Sequence, residues 1–347
     1  MKLIVQIPCY NEEETLPATL ADIPREVPGF GEVEILVIDD GSTDRTAEVA
    51  REHGVHHVVR HVGNKGLAAA FRAGLDTSLR LGADIIVNTD GDNQYFGGDI
   101  PRLVEPILRG TADMVIGCRD IDSVPDFSRA KKLLQKLGSW VVRRISGTRV
   151  ADTTSGFRAY SREAALRINV VSRFSYTLET IIQAGKTGIA ISCVPVRTNR
   201  KLRDSRLFKS NWSYIKRSVL TILRIYAMYR PLKVFARLGG VIFLAGALIG
   251  VRFLIYYAMG HGGGKIQSLI LAAVLMIIGF QTLLIGLLSD LVASNRSLVE
   301  ESLFRTRRLE SHLCPREPDG GEGAGTGSGI EPPDLTATEP SGEECPQ

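Results

Sequence analysis

The chain has 347 residues, of which 44% are hydrophobic and 23% charged, and its formal net charge is +4. That length is enough for one large domain or two domains of ordinary size, and so small a net charge gives no sign of a nucleic-acid partner. The five cysteines are scattered without a CxxC pair, which argues against a zinc site or a disulfide framework and favours a reducing compartment. They are Cys9, Cys118, Cys193, Cys314 and Cys345.

The first part of the chain alternates short apolar runs with helical patterns. The predicted strands are residues 3–7, 33–38, 56–60, 84–88 and 113–117, and the predicted helices are residues 12–20, 43–52, 65–81 and 103–108. Further on, a helix is predicted at 129–145, a loop with strand character at 152–160 and a strand at 189–196. This order predicts an α/β fold with a mostly parallel sheet and helices on both faces. Ligands of such sheets bind beyond the carboxyl ends of the strands.

The composition changes after residue 196. Lys and Arg crowd residues 197–237, where Asp204 is the only acid. Two apolar spans follow at about residues 238–259 and 268–288, each long enough to cross a hydrocarbon core of ~30 Å, with only a short glycine-rich link between them. Basic residues flank both spans, so the positive-inside rule puts both ends in the cytoplasm. The alternative interpretation is a pair of buried core helices.

The predicted organisation follows from these patterns. An N-terminal domain covers residues 1–210, an amphipathic juxtamembrane helix 211–234, two transmembrane helices 235–292, a basic cytoplasmic segment 293–314 and a disordered tail 315–347. We therefore expect a multi-pass protein of the cell membrane whose N-terminal domain and two termini lie in the cytoplasm.

Two carboxylates follow the fourth predicted strand in the sequence VNTDGDNQY. Asp90 and Asp92, together with Gln94, can offer oxygen ligands to a hard cation such as Mg²⁺ or Mn²⁺. Such a cation would neutralise a diphosphate leaving group. The competing interpretation is a turn whose acids only cap backbone groups. The position after a strand in a βαβ series favours the metal site.

Other polar residues follow the neighbouring predicted strands. The first strand ends at PCYNE, where Tyr10 can stack on a base and Glu12 can accept a hydrogen bond from it, or where the chain only turns into a capped helix. Asp39 ends the second strand and can bind a base or a ribose hydroxyl, or simply begin a turn. In GNKG, Lys65 can face a phosphate or start a helix in solvent.

Six motifs occur in the order and spacing of family 2 glycosyltransferases: PCYNEEETL, VIDDGSTDRT, GNKGLAAAFRAG, DGDNQY, GCRD and DTTSGFRAYSRE. To about residue 210 the chain resembles the polyprenyl-phosphate branch, which includes dolichyl-phosphate mannose synthase and bactoprenol glucosyltransferases. The C-terminal hairpin resembles that of the bactoprenol enzymes. The resemblance implies a GT-A fold, a Rossmann-like α/β sheet. It also implies an inverting, membrane-anchored enzyme that moves one sugar from a nucleoside-diphosphate sugar, with uridine favoured, to undecaprenyl or dolichyl phosphate at the cytoplasmic face.

The resemblance also implies roles for individual residues. The nucleotide would be held by Pro8, Tyr10, Glu12, Asp39, Lys65, Asp90 and Gly91. The metal, Mg²⁺ or Mn²⁺, would be held by Asp90, Asp92 and Gln94, and the catalytic set would be Asp92, Arg119, Arg129 and Asp152. The acceptor and its phosphate would contact Ser155, Arg158, Glu179, Arg200, Arg203, Ser205 and Arg206.

Two departures from the family pattern matter. Mannose synthases have Ala-Asp-Leu-Gln-His at the metal motif where this chain has GDNQY. This difference weakens the inference that the donor sugar is mannose or that the nucleotide is GDP. Some hairpin-bearing relatives carry an acid where this chain has Gly156, which leaves Asp152 as the one acid of that loop. A lipid phosphate is already ionised at neutral pH, so this acceptor needs no strong general base. Arginines and a cation would instead reduce the repulsion between phosphates.

The alternatives differ in donor or in class. A GDP-mannose-dependent polyprenyl-phosphate mannosyltransferase would change only the donor, and a membrane sensor or scaffold would bind sugar nucleotides without turnover. A processive polysaccharide synthase would carry a QxxRW motif, which this sequence lacks. The implied partners are a nucleotide-sugar donor, polyprenyl phosphate, the membrane, and a downstream flippase and lipid-linked-sugar-dependent transferase. The sequence leaves open whether the chain forms a homo-oligomer.

Overall fold

The computed structural model describes residues 1–119, 140, 142–143, 147–148, 150, 152–170, 176–199, 231–260 and 266–313. Several sequence predictions fall outside this part of the chain. They concern Arg129 and most of the helix at 129–145, the basic residues Arg200, Arg203 and Arg206 with Ser205, most of the juxtamembrane helix at 211–234, and the tail at 315–347.

The strands in the described residues form one seven-stranded sheet in the order β3-β2-β1-β4-β6-β5-β7. Neighbouring strands run parallel except that β6 is antiparallel to both β4 and β5. This mostly parallel mixed sheet confirms the predicted fold class. The strands are β1 (Lys2–Cys9), β2 (Glu32–Asp39), β3 (His57–Arg60), β4 (Ile85–Asn88), β5 (Met114–Cys118), β6 (Arg158–Ser161) and β7 (Ile191–Pro195).

The helices of the N-terminal domain connect these strands. They are α1 (Leu16–Asp22), α2 (Thr46–Glu52), α3 (Leu67–Arg80), α4 (Ile100–Leu108), α5 (Arg162–Arg167) and α6 (Tyr176–Thr187), with a 3₁₀ turn at Gly97–Asp99 before α4. The prediction that α1 begins at Glu12 was wrong, because the helix begins at Leu16 with proline in its first positions and no acid in its first turn. Proline suits a first helical turn because its missing N–H has no partner there in any case.

Two helices were not predicted from the sequence. The helix α5 starts directly after β6, where Ser161 caps it by accepting a hydrogen bond from Ala164 N at 3.2 Å. Its six residues are too few to produce a helical period in an apolar pattern. The helix α6 mixes threonine, glutamate and apolar residues and buries both polar and apolar positions, Glu179 and Gln183 among them. Such burial on all sides removes the alternation that sequence analysis depends on.

The sheet is buried on both faces. The strand β1 sends Leu3, Val5 and Ile7 into one apolar cluster and Ile4 into the other. Helices α1 and α4 pack on the first side, and Phe71 and Leu75 of α3 pack on the second. A strand covered on both faces reads as a continuous apolar run, which is why LIV and IIV in the sequence mark central strands.

Two long helices follow, α7 (Pro231–Ala258) and α8 (Ile266–Leu313). By length and composition both contain a stretch apolar enough to cross a membrane. The second predicted span and the basic segment predicted at 293–314 lie on one helix, because α8 runs through both without a break. Residues 289–313 contain neither proline nor glycine. Ion pairs four residues apart, such as Arg296–Glu300 at 2.8 Å, support the continued helix.

Candidate functional site

The carboxyl ends of β1 and β2 are tied together by hydrogen bonds at one edge of the sheet. Cys9 pairs with Asp39 as the last register position of the two strands. Just beyond, Asn11 N donates to Ser42 Oγ at 2.9 Å and Glu12 N donates to Thr46 Oγ1 at 2.9 Å. These bonds hold Tyr10 and Glu12 in the turn after β1, where Tyr10 is exposed and available to a ligand.

The carboxylate of Asp39 is fully buried at this edge. Its Oδ1 accepts a hydrogen bond from Ser42 N at 2.8 Å. Its Oδ2 receives no hydrogen bond from any described residue, although Arg60 Nε lies 3.1 Å away as an ion-pair partner. A buried acceptor without an aligned donor is costly. A ligand N–H or hydroxyl at this point would satisfy it, as the sequence predicted for Asp39.

Asp40 is a site residue that the sequence analysis missed. Its Oδ1 lies 2.7 Å from His61 Nδ1 and accepts a hydrogen bond from Lys65 N at 3.0 Å. Its Oδ2 accepts from Gly66 N at 2.7 Å. Asp40 therefore holds the loop 61–66 and presents the exposed Lys65 next to α3. The doubled acid in VIDD was the available signal, since one carboxylate can serve the ligand while the other holds the loop.

The metal motif begins where β4 ends. Gly91 lies so close to β1 that an added Cβ would be 2.8 Å from Cys9 Sγ, and its carbonyl accepts hydrogen bonds from Thr15 Oγ1 at 2.9 Å and Thr19 Oγ1 at 3.2 Å. Asp92 Oδ1 accepts from Gln94 N at 3.1 Å, which closes a tight turn. The turn therefore fixes Asp90 and Asp92 beside the residues that follow β1.

The donor set of this turn suits a hard divalent cation. Burial, and then the adjacent Asp92 carboxylate, raise the pKa of Asp90 to about 7. A cation held between the two acids would favour their ionised forms. Within the described residues there is no cluster of three or more His, Cys, Asp and Glu side chains that could hold a metal by itself. A cation here would therefore need oxygens from another source, which phosphate groups supply.

A loop at residues 152–157 lies directly against this turn. A Cβ added to Gly156 would stand 2.7 Å from Asp90 Oδ2 and 2.9 Å from the Tyr176 hydroxyl. The Gly156 N–H donates to Tyr95 Oη at 3.0 Å, and its carbonyl accepts from Asn88 Nδ2 at 2.8 Å. Any larger side chain at residue 156 would therefore push the Asp90 carboxylate or the Tyr176 hydroxyl aside.

Arg119 and Asp152 form a bidentate ion pair at the other side of the same loop. Arg119 Nε and Nη2 donate to the Asp152 carboxylate at 2.7 and 3.2 Å, and Nη2 also donates to Thr154 Oγ1 at 3.0 Å. Burial alone would raise the pKa of Asp152, but the adjacent Arg119 guanidinium lowers it below the usual value. Asp152 is thus ionised and occupied, and the geometry favours a role in orienting Arg119 over that of a free base.

Arg158 and Glu179 were predicted to contact the acceptor or its phosphate, but both side chains are buried and bonded within the protein. Arg158 is fully buried and donates to the carbonyls of Ser155, Thr153 and Thr177 and to the Thr180 hydroxyl, at 2.7 to 3.0 Å. This geometry favours support of the loop from inside over contact with an acceptor phosphate. Ser155 is also fully buried. Glu179 Oε1 accepts a hydrogen bond from Arg296 Nη2 at 2.8 Å.

Residues that follow β7 also support the metal motif and the 3₁₀ turn after it. Asp99 is fully buried and accepts three hydrogen bonds from the Arg197 side chain at 2.7, 3.1 and 3.3 Å and one from Arg197 N at 2.7 Å. Asn199 Nδ2 donates to Asn93 Oδ1 at 3.0 Å, and Asn199 N donates to the Gln94 carbonyl at 3.0 Å. The sequence analysis missed these partners because they lie about a hundred residues apart in the chain.

The comparison with known sequences identifies the family. Residues 4–168 match the sequence profile of Glycosyl transferase family 2. The chain is 31% identical over 314 residues to the glycosyltransferase AglJ of Haloferax volcanii, covering 87% of this chain and 96% of AglJ. It is 31% identical over 222 residues to the polyprenol monophosphomannose synthase of Mycolicibacterium smegmatis, covering 60% and 82% of the two chains. It is 28% identical over 215 residues to the UDP-N-acetylglucosamine–dolichyl-phosphate N-acetylglucosaminyltransferase of Methanococcus voltae, covering 55% and 83%.

The fold agrees with that assignment. The structure of glucosyl-3-phosphoglycerate synthase from Mycobacterium tuberculosis, in complex with Mn²⁺ and UDP-glucose, superposes with a TM-score of 0.51 at 24% identity, covering 64% of this chain and 77% of that one. An open α/β sheet with polar residues gathered at its carboxyl edge belongs to the class of α/β proteins whose ligands bind beyond the carboxyl ends of the strands. Within that class the chain belongs to glycosyl transferase family 2 and is a glycosyltransferase. The family resemblance drawn from the six motifs is confirmed.

Proposed function

We propose that this glycosyltransferase moves one sugar from a UDP-linked sugar to polyprenyl phosphate, with inversion at the anomeric carbon, on the cytoplasmic face of a membrane. One observation carries the proposal: the anionic turn of Asp90 and Asp92 and the guanidinium of Arg119 meet at the single loop 152–157. Bringing the anionic acceptor phosphate and the donor diphosphate to one sugar requires positive charge, which Arg119 and a cation held by the two acids would supply. The names of the relatives, which include enzymes acting on polyprenyl and dolichyl phosphates, support this acceptor.

Different residues at the carboxyl edge of the sheet would bind different parts of the nucleotide-sugar donor. The turns after β1 and β2 would bind the nucleoside, with Tyr10 against the base and the free oxygen of Asp39 accepting a hydrogen bond from it. Pro8 and Glu12 would shape this pocket, and Lys65 would face the phosphates from the loop that Asp40 holds. Asp90, Asp92 and Gln94 would hold Mg²⁺ or Mn²⁺, which would offset the charge of the leaving diphosphate.

The acceptor step needs little proton chemistry. The ionised phosphate oxygen of the lipid would attack the anomeric carbon, forming a carbon–oxygen bond while the bond to the nucleoside diphosphate breaks. Arg119 is held by Asp152 and Thr154 through Nε and Nη2, and no described residue accepts a hydrogen bond from its Nη1. That free edge of the guanidinium would reduce the repulsion between the two phosphates by preorganised charge. The basic residues Arg129, Arg200, Arg203 and Arg206 would add to this field.

The membrane part of the proposal depends on α7 and the first half of α8. Their apolar side chains face outward, as Leu248 at 70% and Leu288 at 62% exposed illustrate. This orientation argues against the alternative of two core helices, which would bury these groups. The two helices would form a transmembrane hairpin with the catalytic domain and both termini in the cytoplasm.

The test is transfer by the full chain. Polyprenyl phosphate in vesicles, Mn²⁺ or Mg²⁺ and a panel of labelled UDP- and GDP-sugars are supplied, and an organic-extractable product is measured with its mass. Asp92→Ala should lose at least a hundredfold in rate, since metal-linked charge stabilisation is removed. Glu105→Ala, an exposed acid on α4, is the matched control and should keep full rate.

The outcomes separate the alternatives. Product with GDP-mannose alone would change the donor and leave the acceptor as proposed. Nucleotide binding without product on any polyprenyl phosphate would overturn the proposal and favour a sensor. An Asp92→Ala variant as active as Glu105→Ala would overturn the metal assignment.

A further inference from the structure

The charged half of α8 lies against the N-terminal domain through side chains on one face. Arg307 Nη1 donates to the Ile168 carbonyl at 3.0 Å, and its Nη2 lies 3.2 Å from Asp76 Oδ1. Phe304 is 7% exposed and packs in the same apolar cluster as α3 and α5. The guanidinium of Arg167 lies 4.5 Å from the centre of its ring. This end of α8 is therefore fastened to α3 and to the end of α5.

One more contact links α8 to the helix behind the candidate site. Arg296 Nη2 donates to Glu179 on α6 at 2.8 Å, and the Glu179 side chain is buried. The same helix carries Tyr176, whose hydroxyl accepts a hydrogen bond from Asn88 Nδ2 at 3.0 Å next to Asp90. Arg296, Phe304 and Arg307 are named here the docking stripe.

The docking stripe is a face of the helix rather than a diffuse contact. With roughly 100° of rotation per residue, its three side chains fall within about 80° of one another. Arg305 at 74% and Leu298 at 67% exposed lie on the opposite face of the helix. Because α8 is one continuous helix, no loop separates the docking stripe from the apolar half that precedes it.

We infer that the docking stripe fixes the orientation of the catalytic domain over the membrane surface, and that Arg307 and Asp76 are positioning residues for the lipid acceptor. The inference rests on the proposed acceptor and on the proposed hairpin. The phosphate of a lipid acceptor is confined to the membrane surface. The catalytic site must therefore be held at a fixed distance and orientation relative to that surface. A soluble acceptor has no such constraint. Loss of the docking stripe therefore lowers the effective concentration of the lipid acceptor at the site and spares the donor.

The experiment uses the full chain in phosphatidylcholine/phosphatidylglycerol vesicles that contain polyprenyl phosphate. Arg307→Glu is expected to raise the KM for the lipid about tenfold, because misplacement of a reactant by about an ångström is already costly. The KM for the donor and the rate with a short-chain, water-soluble polyprenyl phosphate should stay unchanged. Asp76→Arg combined with Arg307→Glu restores the ion pair in reverse and should recover most of the lipid KM.

The matched control is Arg305→Glu, the same substitution two residues away on the exposed face, where Arg305 pairs with its helix neighbour Glu301 and with no other acid of the described residues. It should leave the lipid KM unchanged. An Arg307→Glu variant that behaves like Arg305→Glu would overturn the inference. So would an equal loss on the short-chain acceptor, or a double variant no better than Arg307→Glu.

A second readout does not depend on activity. Hydrogen–deuterium exchange is compared between the wild type and Arg307→Glu. The variant should exchange faster than the wild type in α5 and in the last turns of α8, and the β1 and β4 amides should exchange alike in both. If the wild type transfers no sugar to any polyprenyl phosphate, the proposed function fails while the exchange result still decides the docking. If transfer occurs and exchange does not differ between the variants, the docking stripe fails and the proposed function stands.

Discussion

In the sheet domain the large apolar side chains point inward and most buried polar groups are hydrogen-bonded, whereas in α7 and the first half of α8 the large apolar side chains point outward. Leu3 and Ile4 are fully buried, and Leu244 and Leu248 are 62% and 70% exposed. The hairpin helices instead approach each other through small residues. A Cβ added to Gly279 would lie 2.6 Å from Phe243 N, and one added to Gly239 would lie 2.8 Å from the Gly279 carbonyl.

This contrast separates two sources of stability within one chain. In water the exclusion of apolar area holds a domain together, and any buried polar group must find a partner. Between helices that face lipid, close backbone contact at small residues takes over that role. Polar substitutions should therefore harm the sheet domain most, and added volume at a contact glycine should harm the hairpin most.

The largest effect is expected for Arg158→Lys in the sheet domain. Arg158 spans four acceptors from a fully buried position, and a lysine ammonium cannot reach all of them. We expect the free energy of unfolding to fall by about 3 kcal/mol, measured by urea denaturation and circular dichroism in detergent. Arg109→Lys, at an exposed pair with Glu105, is the control and should change it by less than about 0.5 kcal/mol. Equal losses in the two variants would contradict the burial argument.

Next is Gly156→Ala, which adds one methyl group beside the metal motif. The new Cβ would stand 2.7 Å from Asp90 Oδ2 and must push that carboxylate aside. We expect a fall in transfer rate of about a hundredfold, since a displacement of about an ångström at the reacting groups has that cost. Gly31→Ala, where nothing lies within 4 Å of the added Cβ, should keep full rate. Full activity in Gly156→Ala would show that the loop can move away from Asp90.

In the hairpin, Gly279→Val tests the role of volume. The added atoms would meet the Phe243 backbone, and overpacking of this kind costs about 2 kcal/mol. The melting temperature in detergent should fall while the KM for the donor nucleotide stays constant. Gly240→Val on α7, with no neighbour within 4 Å of its Cβ, is the matched control and should melt with the wild type. If both variants melt alike, close packing of the two helices is not what stabilises the hairpin.

The smallest effect concerns the pH dependence of metal binding. Burial and Asp92 raise the pKa of Asp90 to about 7, so without a cation the carboxyl is mostly protonated below that pH. A cation binds the ionised form, so affinity should rise as pH rises through 7, by about tenfold between pH 6 and pH 8. Electron paramagnetic resonance of Mn²⁺ with the enzyme and a nucleotide measures it. An affinity independent of pH over this range would mean that Asp90 is already ionised.

The same raised pKa of Asp90 affects the stability of the metal-free protein. Its free energy of unfolding should fall as pH rises from about 4 to 7, because a raised carboxyl pKa penalises the charged form in the folded state.

The strand ends of the site were largely predictable, and the contacts behind them were not. Asp39, Asp90 and Asp92 each follow an apolar run, and parallel strands bring such ends to one edge. Arg119 and Asp152 were named as candidates, but nothing in the sequence joined them as a pair, because a bidentate contact between loops thirty-three residues apart has no local pattern. The contacts of Tyr95 and Tyr176 were missed for the same reason, whereas the doubled acid of VIDD was a local signal for Asp40 that was not used.

One predicted boundary failed where two local signals competed. The acids at Glu12 to Glu14 suggested a helix start, yet Pro17 and the bond from Glu12 N to Thr46 delay it to Leu16. The basic segment predicted at 293–314 continues the helix of the second apolar span, because the absence of proline and glycine lets α8 run to Leu313.

By itself the sequence determined the fold class, the family and the presence of two apolar spans, because each is written in periodicity, motif order or segment length, which are properties of neighbouring residues. Only the tertiary structure decided that Gly156 lies against Asp90, that Asp152 is bound to Arg119, and that Arg296 and Arg307 face the catalytic domain while Arg305 faces solvent. These depend on which distant atoms share a few ångströms of space, and no local pattern in the chain records that.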